Sequence, residues 1–392
     1  MIKKSMDEFI RNDREQELIQ MVDTLAARFA KRAAKYDVEG SFPFENFADL
    51  KSAGYLKLTV PKEFGGDEIS LYEMLLLQER LATGDGSTAL AVGWHVGLML
   101  NLRYTRSWPD GLYAEFCRNV VEKGTMLNNF ASEPTTGSPT RGGRPATIAE
   151  RVDGGWVITG RKTFSTLSPV LDQFVVTASI ANEDSVGEFL VAKSEGVQVE
   201  ETWDTLGMRG TGSHDLILQR AFVEDGKLLR RVVPGEKSLQ DQLGNGWLLH
   251  IPACYLGIAF SARNFAVQFA KRHRPNSLQG SISELPHIQS QIGQMEAELR
   301  TARTLMYSIA ERWDQDIENR PHFKTELGLV KYVATNSALS VVDKAMRIVG
   351  GLSLYRTLPL ERMYRDVRAG LHNPPMDDAV IRDLAKTALS EA

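Results

Sequence analysis

The sequence predicts an α+β protein built from several domains. Three observations support this prediction. The 392 residues exceed what one hydrophobic core of ordinary size holds, both ends of the chain carry amphipathic helical patterns, and the middle carries short alternating patterns typical of strands. The expected order is an N-terminal α-helical domain at 1–122, a central β-barrel or β-sandwich domain at 123–235, and a C-terminal helical bundle at 236–392.

The N-terminal zone predicts helices. Residues 17–34 and 71–81 are amphipathic, and two glycines at 65–66 predict a turn between them. Residues 87–102 are almost uniformly apolar, but they include Trp94 and His95 and are shorter than the roughly 20 residues that a membrane-spanning helix requires. We therefore expect a buried helix there and no membrane association.

The pattern changes in the middle of the chain and changes back after it. Strand-like runs are expected at 146–152, 156–159, 173–179, 188–193 and 215–222. A glycine-containing linker follows at 235–246. Beyond it, apolar residues recur every three or four positions, at Ile292, Met295, Leu299, Ala302, Met306, Ile309 and Trp313. That spacing predicts one face of a long bundle helix.

Composition excludes several classes of function. A net charge of -4 argues against nucleic-acid binding, which needs clustered Lys and Arg. Two cysteines without CxxC spacing, and histidines without ligand spacing, predict neither a metal site nor a disulfide framework. The first residues are charged and lack the apolar core of a secretory signal, so a cytoplasmic protein is expected.

Three motifs in the middle zone resemble the acyl-CoA dehydrogenase superfamily. Residues 131–138 read ASEPTTGS, residues 160–166 read GRKTFST, and residues 206–215 read LGMRGTGSHD. Each string alone is a turn-like sequence, but the three in this order, with GG at 350–351 and RD at 365–366, are specific. The resemblance covers the whole chain. It implies a helical N-terminal domain, a central β domain, a C-terminal four-helix bundle and a flavin cofactor.

The resemblance also implies the cofactor-binding residues. An aromatic residue covers the flavin ring and a hydroxyl reaches its N5 region, roles that fall to Phe164 and Thr166. Backbone N–H groups of the first motif would bind the pyrimidine edge of the ring. The residues expected there are Phe130, Ala131, Ser132, Gly137, Ser138 and Ser165. The family usually ends this motif with Asp, where this chain has Pro139.

Two sequence runs that bind the pyrophosphate and adenosine of FAD in relatives differ in this chain. The Arg-x-Thr-Phe-Gly run of dimeric relatives is replaced by KRHRPNS at 271–277, and the Gln before the glycine pair is absent from RIVGG at 347–351. Arg272 or Arg274 is the expected contact to a flavin phosphate, and Arg347, Gly350 and Gly351 are the expected cofactor-binding residues of the second region. Because the adenosine contacts are weakened, the cofactor is expected to be FAD or FMN.

The catalytic base of a dehydrogenase is missing. Alignment on residues 365–366 puts Pro374 where the usual Glu stands, and the alternative position on the first C-terminal helix falls at Trp247 and Leu248. Neither Pro nor Trp removes a proton. A dehydrogenase would have to recruit Asp377 or Asp378 instead.

The C-terminal run RDVRAGLHNP at 365–374 resembles the two-component flavin monooxygenase branch, of which dibenzothiophene monooxygenase is one member. That resemblance implies His95, Asn129, Ser165 and His372 as catalytic residues, with His250 in reserve. Neutral hydrogen-bond donors suit oxygen activation by reduced flavin, whereas a carboxylate base does not. Each residue has a structural alternative: a core histidine for His95, a helix cap for His372, and ordinary hydrogen bonding for Asn129 and Ser165.

The sequence therefore predicts a flavin-dependent oxidoreductase. The favoured reaction is a monooxygenation of a small substrate, containing sulfur, nitrogen or an aromatic ring, with reduced flavin from a separate reductase. The alternative is an acyl-CoA dehydrogenase that passes electrons to an electron-transfer flavoprotein. A homotetramer is expected from the resemblance. A third possibility is a member without catalytic activity that uses the fold to bind acyl-CoA or a partner.

Overall fold

A computed structural model describes residues 5–136, 143–233 and 245–391 of the chain. Helices form both ends and strands form the middle, which confirms the predicted α+β class. The N-terminal helices are α1 Asp13–Glu39, α2 Phe44–Ser52, α3 Leu71–Ala82, α4 Gly86–Thr105 and α5 Asp110–Lys123. Among the described residues, no helix combines the length and the apolar character needed to cross a membrane.

Local sequence signals set the ends of these helices. Asn12 caps α1 by accepting a hydrogen bond from the Glu15 backbone, and the helix ends at Gly40 in the left-handed conformation, with φ 64°. Ser70 and Glu73 form a reciprocal capping box at the start of α3. Helix α4 is buried on nearly all sides, which explains its uniformly apolar sequence.

The central domain is one mixed sheet. Its strands are β1 Asn129–Phe130, β2 Ile148–Val152, β3 Gly155–Ser165, β4 Gln173–Ile180, β5 Val186–Ala192, β6 Val197–Glu200, β7 His214–Glu224 and β8 Leu228–Val232. The order across the sheet is β6-β7-β3-β2-β4-β5-β8, and β1 pairs in parallel with β4. The sequence pattern missed β1, β6 and β8, which are only two, four and five residues long.

The C-terminal helices are α6 His250–Arg272, α7 Pro286–Gln315, α8 Lys324–Val349, α9 Leu360–Arg368 and α10 Asp377–Glu391. The apolar face predicted for α7 is observed, with Ile292 half-buried and the other members buried. Helix α6 approaches α3 very closely, because a Cβ on Gly257 would lie 2.1 Å from the carbonyl oxygen of Glu79. Nearby, Arg303 of α7 pairs with the buried Glu79 at 2.8 Å. These contacts join the two helical domains into one core.

Candidate active site

Two of the predicted motifs lie side by side within the central sheet, where β1 and the C-terminal end of β3 are neighbours. Residues 128–133 and 162–166 form this region, which we call the β edge. The Thr163 backbone N–H donates to the carbonyl oxygen of Ser132 at 2.9 Å. The side-chain amide of Asn128 donates to the carbonyl oxygen of Thr166, also at 2.9 Å. The chain thus holds the two motifs together by hydrogen bonds to the backbone.

A buried ion pair anchors the β edge from below. The Nζ of Lys162 lies 2.5 Å from Oε1 of Glu133, and both side chains are almost fully enclosed. Glu133 also accepts hydrogen bonds from the backbone N–H groups of Ala146 and Thr147 at 2.6 and 3.1 Å. Burial alone would raise the pKa of the Glu133 carboxyl, but the bonds from Lys162 and these neighbours hold it below its usual value. The negative charge of this carboxylate, paired with Lys162, fixes the first motif against the sheet.

Phe164 is held in a conformation that turns its ring outward. Its φ is 55°, in the left-handed region that non-glycine residues rarely occupy, and its side chain is 67% exposed. The Thr166 N–H closes the turn by donating to the Phe164 carbonyl at 2.9 Å. The ring meets Trp203 edge to face, with centroids 5.9 Å apart. A strained backbone that exposes a large aromatic ring is a feature of binding sites.

The other residues predicted at the β edge occupy different environments. Phe130 is buried against Phe174, so its side chain belongs to the core and only its backbone is left for a ligand. Ala131 and Ser132 are half-buried, and Asn129 is exposed. Ser165 is fully buried, and its hydroxyl has no hydrogen-bond partner among the described residues. Gly137 and Ser138 lie outside the described residues.

The third motif supplies a chain of hydroxyls to the same edge. Oγ1 of Thr166 lies 2.8 Å from Oγ of Ser213, which lies 2.7 Å from Oγ1 of Thr211. The Thr211 hydroxyl reaches the carbonyl oxygen of Met208 at 3.0 Å. Neither Ser213 nor Thr211 was predicted as a site residue, because a Gly-Thr-Gly-Ser string indicates a turn until its partner is known.

His95 is enclosed inside the N-terminal domain. Its Nε2 lies 3.1 Å from the carbonyl oxygen of Leu56, and its Nδ1 accepts the backbone N–H of Leu127 at 3.1 Å. Burial lowers the pKa of His95 to about 4, so the ring is neutral at neutral pH. Both ring nitrogens are therefore occupied by the backbone, and the ring joins helix α4 to the segment that enters the β edge.

The loop between α9 and α10 lies against the bundle and is fixed at both ends. We call residues 372–376 the C-terminal loop. At its start, the hydroxyl of Tyr255 donates to Oδ1 of Asn373 at 2.5 Å. Just after its end, the Asp377 carboxylate accepts from Lys331 at 3.0 Å and from the Asn336 amide at 2.9 Å. His372 is exposed at the start of this loop.

Aromatic rings fill the second position that a base could occupy. Trp247 and His250 lie nearly parallel, with ring centroids 5.9 Å apart, and Trp94 meets His250 edge to face at 5.0 Å. Burial lowers the pKa of His250 to about 4. A Cβ on Gly97 would approach the Trp247 ring to 3.0 Å, so the glycine leaves room for the indole. This cluster contains no carboxylate.

The RD motif at 365–366 joins all three domains. Arg365 of α9 donates to the Asp37 carboxylate of α1 at 2.6 and 2.9 Å, and to the carbonyl oxygen of Leu206 at 2.9 Å. Its neighbour Asp366 is buried and accepts the backbone N–H of Met208 at 2.6 Å. Burial raises the pKa of Asp366 to about 7, although the Met208 bond acts in the opposite direction. The motif therefore fixes the central domain between the two helical ones.

The cofactor-binding residues predicted in the C-terminal zone fall into two groups. Arg347, Gly350 and Gly351 line an open groove of about 540 Å³, in which Arg347 pairs with Asp343 at 2.7 Å. Gly350 combines φ 69° with ψ -150°, a region of backbone conformation that is essentially restricted to glycine. Arg272, the last residue of α6, and Arg274, just beyond it, are exposed and do not line that groove.

An exposed aromatic ring at Phe164, beside two motifs joined by backbone hydrogen bonds, suits the flat ring and polar edge of a flavin. Together with the order of helices, sheet and helices along the chain, this arrangement is typical of three-domain flavoproteins. Family models agree over most of the chain: the acyl-CoA dehydrogenase N-terminal domain matches residues 12–105, the middle domain 129–221 and the C-terminal domain 238–371. The chain belongs to the acyl-CoA dehydrogenase family. The prediction of a flavin-dependent oxidoreductase with FAD or FMN is confirmed at the level of this family.

The proteins to which this chain is similar are named for different reactions. The chain is 50% identical to the "Putative acyl-CoA dehydrogenase YdbM" of Bacillus subtilis (strain 168), over 98% of this chain and 99% of that protein. It is 30% identical to L-evernosamine nitrososynthase of a Micromonospora species, over 89% and 85%. Its fold matches FMN-bound TdsC from Paenibacillus sp. A11-2 with a TM-score of 0.86 and 23% identity, over 96% and 98%.

Proposed function

We propose that this chain is a two-component flavin monooxygenase that receives reduced flavin from a separate reductase and uses O₂ on a small substrate. The observation that carries the proposal is the chemistry of the C-terminal loop. Where a dehydrogenase of this family has a base, residues 372–376 offer an imidazole, an amide, two prolines and a methionine, and no carboxylate. The first carboxylate beyond them, Asp377, is engaged by Lys331 and Asn336.

In this proposal, different residues bind the flavin, transfer protons and exclude water. Phe164 would cover one face of the flavin, and the Glu133–Lys162 pair would hold the β edge in register against it. When bound, reduced flavin supplies the electrons that activate O₂. His372, exposed at the start of the loop, is the candidate proton donor or base. The aromatic cluster around Trp247 excludes water from the side of α4.

The role of His95 is revised to that of a positioning residue. Both of its nitrogens are engaged by backbone groups, so its N–H is used within the protein. It acts through Leu127, whose N–H it accepts just before the β edge begins. Asn129 and Ser165 remain candidate hydrogen bonders, one on the exposed side and one in the interior. The assembly proposed is a cytoplasmic homotetramer that binds FMN or FAD.

Reoxidation of flavin tests the reaction. Protein loaded with reduced FMN is mixed rapidly with O₂, and the return of oxidised-flavin absorbance is followed together with the H₂O₂ yield. We expect reoxidation well slower than for free FMN, and retention of this behaviour in Pro374→Glu, which leaves His372 in place. Reoxidation at the free-flavin rate, with bleaching of bound oxidised flavin by an acyl-CoA, would overturn the proposal.

The second candidate is an acyl-CoA dehydrogenase that uses an electron-transfer flavoprotein. The name of the 50% identical Bacillus relative favours it. In that case Asp377 or Asp378, in the first turn of α10, is the base. The double variant Asp377→Asn and Asp378→Asn would then abolish bleaching by acyl-CoA while flavin stays bound. A nitrogen-containing substrate is favoured for the first candidate by the nitrososynthase relative.

A further inference from the structure

The segment that precedes the third motif is fixed to strand β7 by the side chain of His214. The Nδ1 atom of His214 accepts the backbone N–H groups of Thr202 and Trp203, at 3.2 and 3.1 Å. The Asp215 N–H in turn donates to Oγ1 of Thr202 at 3.1 Å. Because Nδ1 accepts both bonds, the hydrogen of the neutral ring lies on Nε2. Protonation of the imidazole places a second hydrogen on Nδ1 and removes both bonds.

Trp203 connects this segment to the exposed ring of Phe164. Its indole Nε1–H donates to the Met208 carbonyl oxygen at 3.0 Å, which orients the indole. The ring of Phe164 lies edge to face against it, with centroids 5.9 Å apart and planes at 78°. Since the Phe164 side chain is 67% exposed, this contact limits the directions that its ring can take. His214 is also the cross-strand partner of Ser165, the residue after Phe164.

We propose that Trp203 and His214 are positioning residues for the flavin site, and that protonation of His214 loosens the site by releasing Trp203 from strand β7. Trp203 holds Phe164 in the direction needed to cover the flavin, and His214 holds the backbone of Trp203. Neither side chain has to touch the flavin. The inference rests on the flavin assignment of the proposed function and adds a dependence of flavin binding on pH.

The surroundings of His214 decide the direction of the pH dependence. Burial lowers the pKa of His214, whereas Glu201 and Asp215 act in the opposite direction. Several charged groups of the facing segment and strands form ion pairs, namely Glu200 and Asp215 with Arg161, Asp204 with Arg209, and Glu133 with Lys162. Because the pKa of His214 lies below its usual value of 6.5, the ring is neutral at pH 8. Its bonds to the backbone, and with them flavin affinity, should be lost as the pH falls below about 6.5.

The first test is the dissociation constant for oxidised FMN, titrated by fluorescence at pH 8 and pH 5. His214→Asn offers an amide oxygen near the position of Nδ1 and does not titrate. We expect the constant of the wild type, divided by that of His214→Asn, to rise about fivefold from pH 8 to pH 5, the size of one ordinary hydrogen bond. Ionisation of the FMN phosphate and of Asp366 is common to both proteins and cancels in this ratio. His214→Leu lacks an acceptor and should bind FMN about fivefold more weakly than His214→Asn at both pH values.

The second test asks whether Trp203 acts through Phe164. Trp203→Leu should raise the dissociation constant for FMN about tenfold at pH 8, as much as Phe164→Ala. In the Phe164→Ala background, Trp203→Leu should change the constant by less than about twofold. Trp203→Phe keeps a ring but loses the bond to Met208, and an intermediate effect in this milder variant guards against a folding defect in Trp203→Leu.

A ratio of wild type to His214→Asn that stays within about twofold between pH 8 and pH 5 would overturn the inference. So would additive effects of Trp203→Leu and Phe164→Ala, because Trp203 would then act independently of Phe164. Absence of FMN binding by the wild type would overturn it together with the flavin assignment. Failure of the monooxygenase reaction alone would appear as rapid reoxidation in oxygen while the ratio still responds to pH.

Discussion

The β edge and the C-terminal loop are anchored to the rest of the protein by different kinds of contact. At the β edge, the charged partners are buried, and the backbone of one motif bonds directly to the other. At the C-terminal loop, the anchoring groups come from the helices α6 and α8, and His372 at the start of the loop is exposed. The difference indicates that this chain keeps the groups that orient a flat cofactor and lacks a carboxylate where proton abstraction would occur.

The largest expected effect breaks the β edge. Lys162→Met leaves the Glu133 carboxylate buried without a counter-charge, which we expect to lower the free energy of unfolding by about 3–5 kcal/mol. Urea unfolding at pH 7 measures it. The double variant Lys162→Met with Glu133→Gln removes both charges and should recover most of the loss. A single variant as stable as the wild type would mean that the pair does not anchor the edge.

The next effect concerns Asp366 of the RD motif and depends on pH. The folded-state pKa of Asp366 is about 7, above the unfolded value of about 3.9, so the native state binds more protons between these values. Its contribution to stability therefore falls as pH rises from about 4 to 7. Asp366→Asn removes this dependence and keeps an acceptor for Met208. Its stability relative to the wild type should rise by about 2.5 kcal/mol between pH 5 and pH 8.

The comparison with the wild type is essential, because the buried histidines His95 and His250 act in the opposite sense. Their lowered pKa values favour the folded state above about pH 6.5, and this stability is lost as pH falls towards 4. Both histidines are present in the wild type and in the variant, so their contributions cancel in the difference. A flat difference between pH 5 and pH 8 would show that Asp366 is ionised in the folded protein throughout.

A smaller effect separates binding from folding at the β edge. Phe164→Ala removes a ring that is 67% exposed, so the melting temperature should change little. The dissociation constant for flavin should rise about tenfold, the order expected from loss of one aromatic stacking contact. Fluorescence titration with FMN measures it, with Phe164→Tyr as the control that keeps the ring. Unchanged affinity in the Ala variant would remove Phe164 from the site.

The smallest expected effect concerns the hydrogen bond that anchors the C-terminal loop. Tyr255→Phe deletes the hydrogen bond to Asn373 and should lower stability by about 1 kcal/mol. Flavin affinity should stay at the wild-type value, because the contact lies in the bundle. In a double-mutant cycle, Asn373→Ala should add little in the Tyr255→Phe background. Additive losses would show that the two side chains act independently.

The sequence predicted the fold class and the apolar face of α7, because periodicity and turn residues act locally. It did not predict the partners of the middle-zone motifs. Lys162 looks like an exposed strand residue until Glu133 is placed beside it, and Asp37 is 328 residues from Arg365 in the chain. The environment of His95 was also hidden, since its partners are backbone groups that leave no signal in side-chain patterns.

The contacts of Arg365 have a consequence for exchanging domains between relatives. One guanidinium reaches the N-terminal domain at Asp37 and the central domain at Leu206, from a helix of the C-terminal domain. In a chimera that imports one domain from a relative, Arg365 and the groups that it contacts therefore come from different parent proteins. Functional hybrids in this family would have to transplant the acidic residue of α1 and the RD pair of α9 as a matched set.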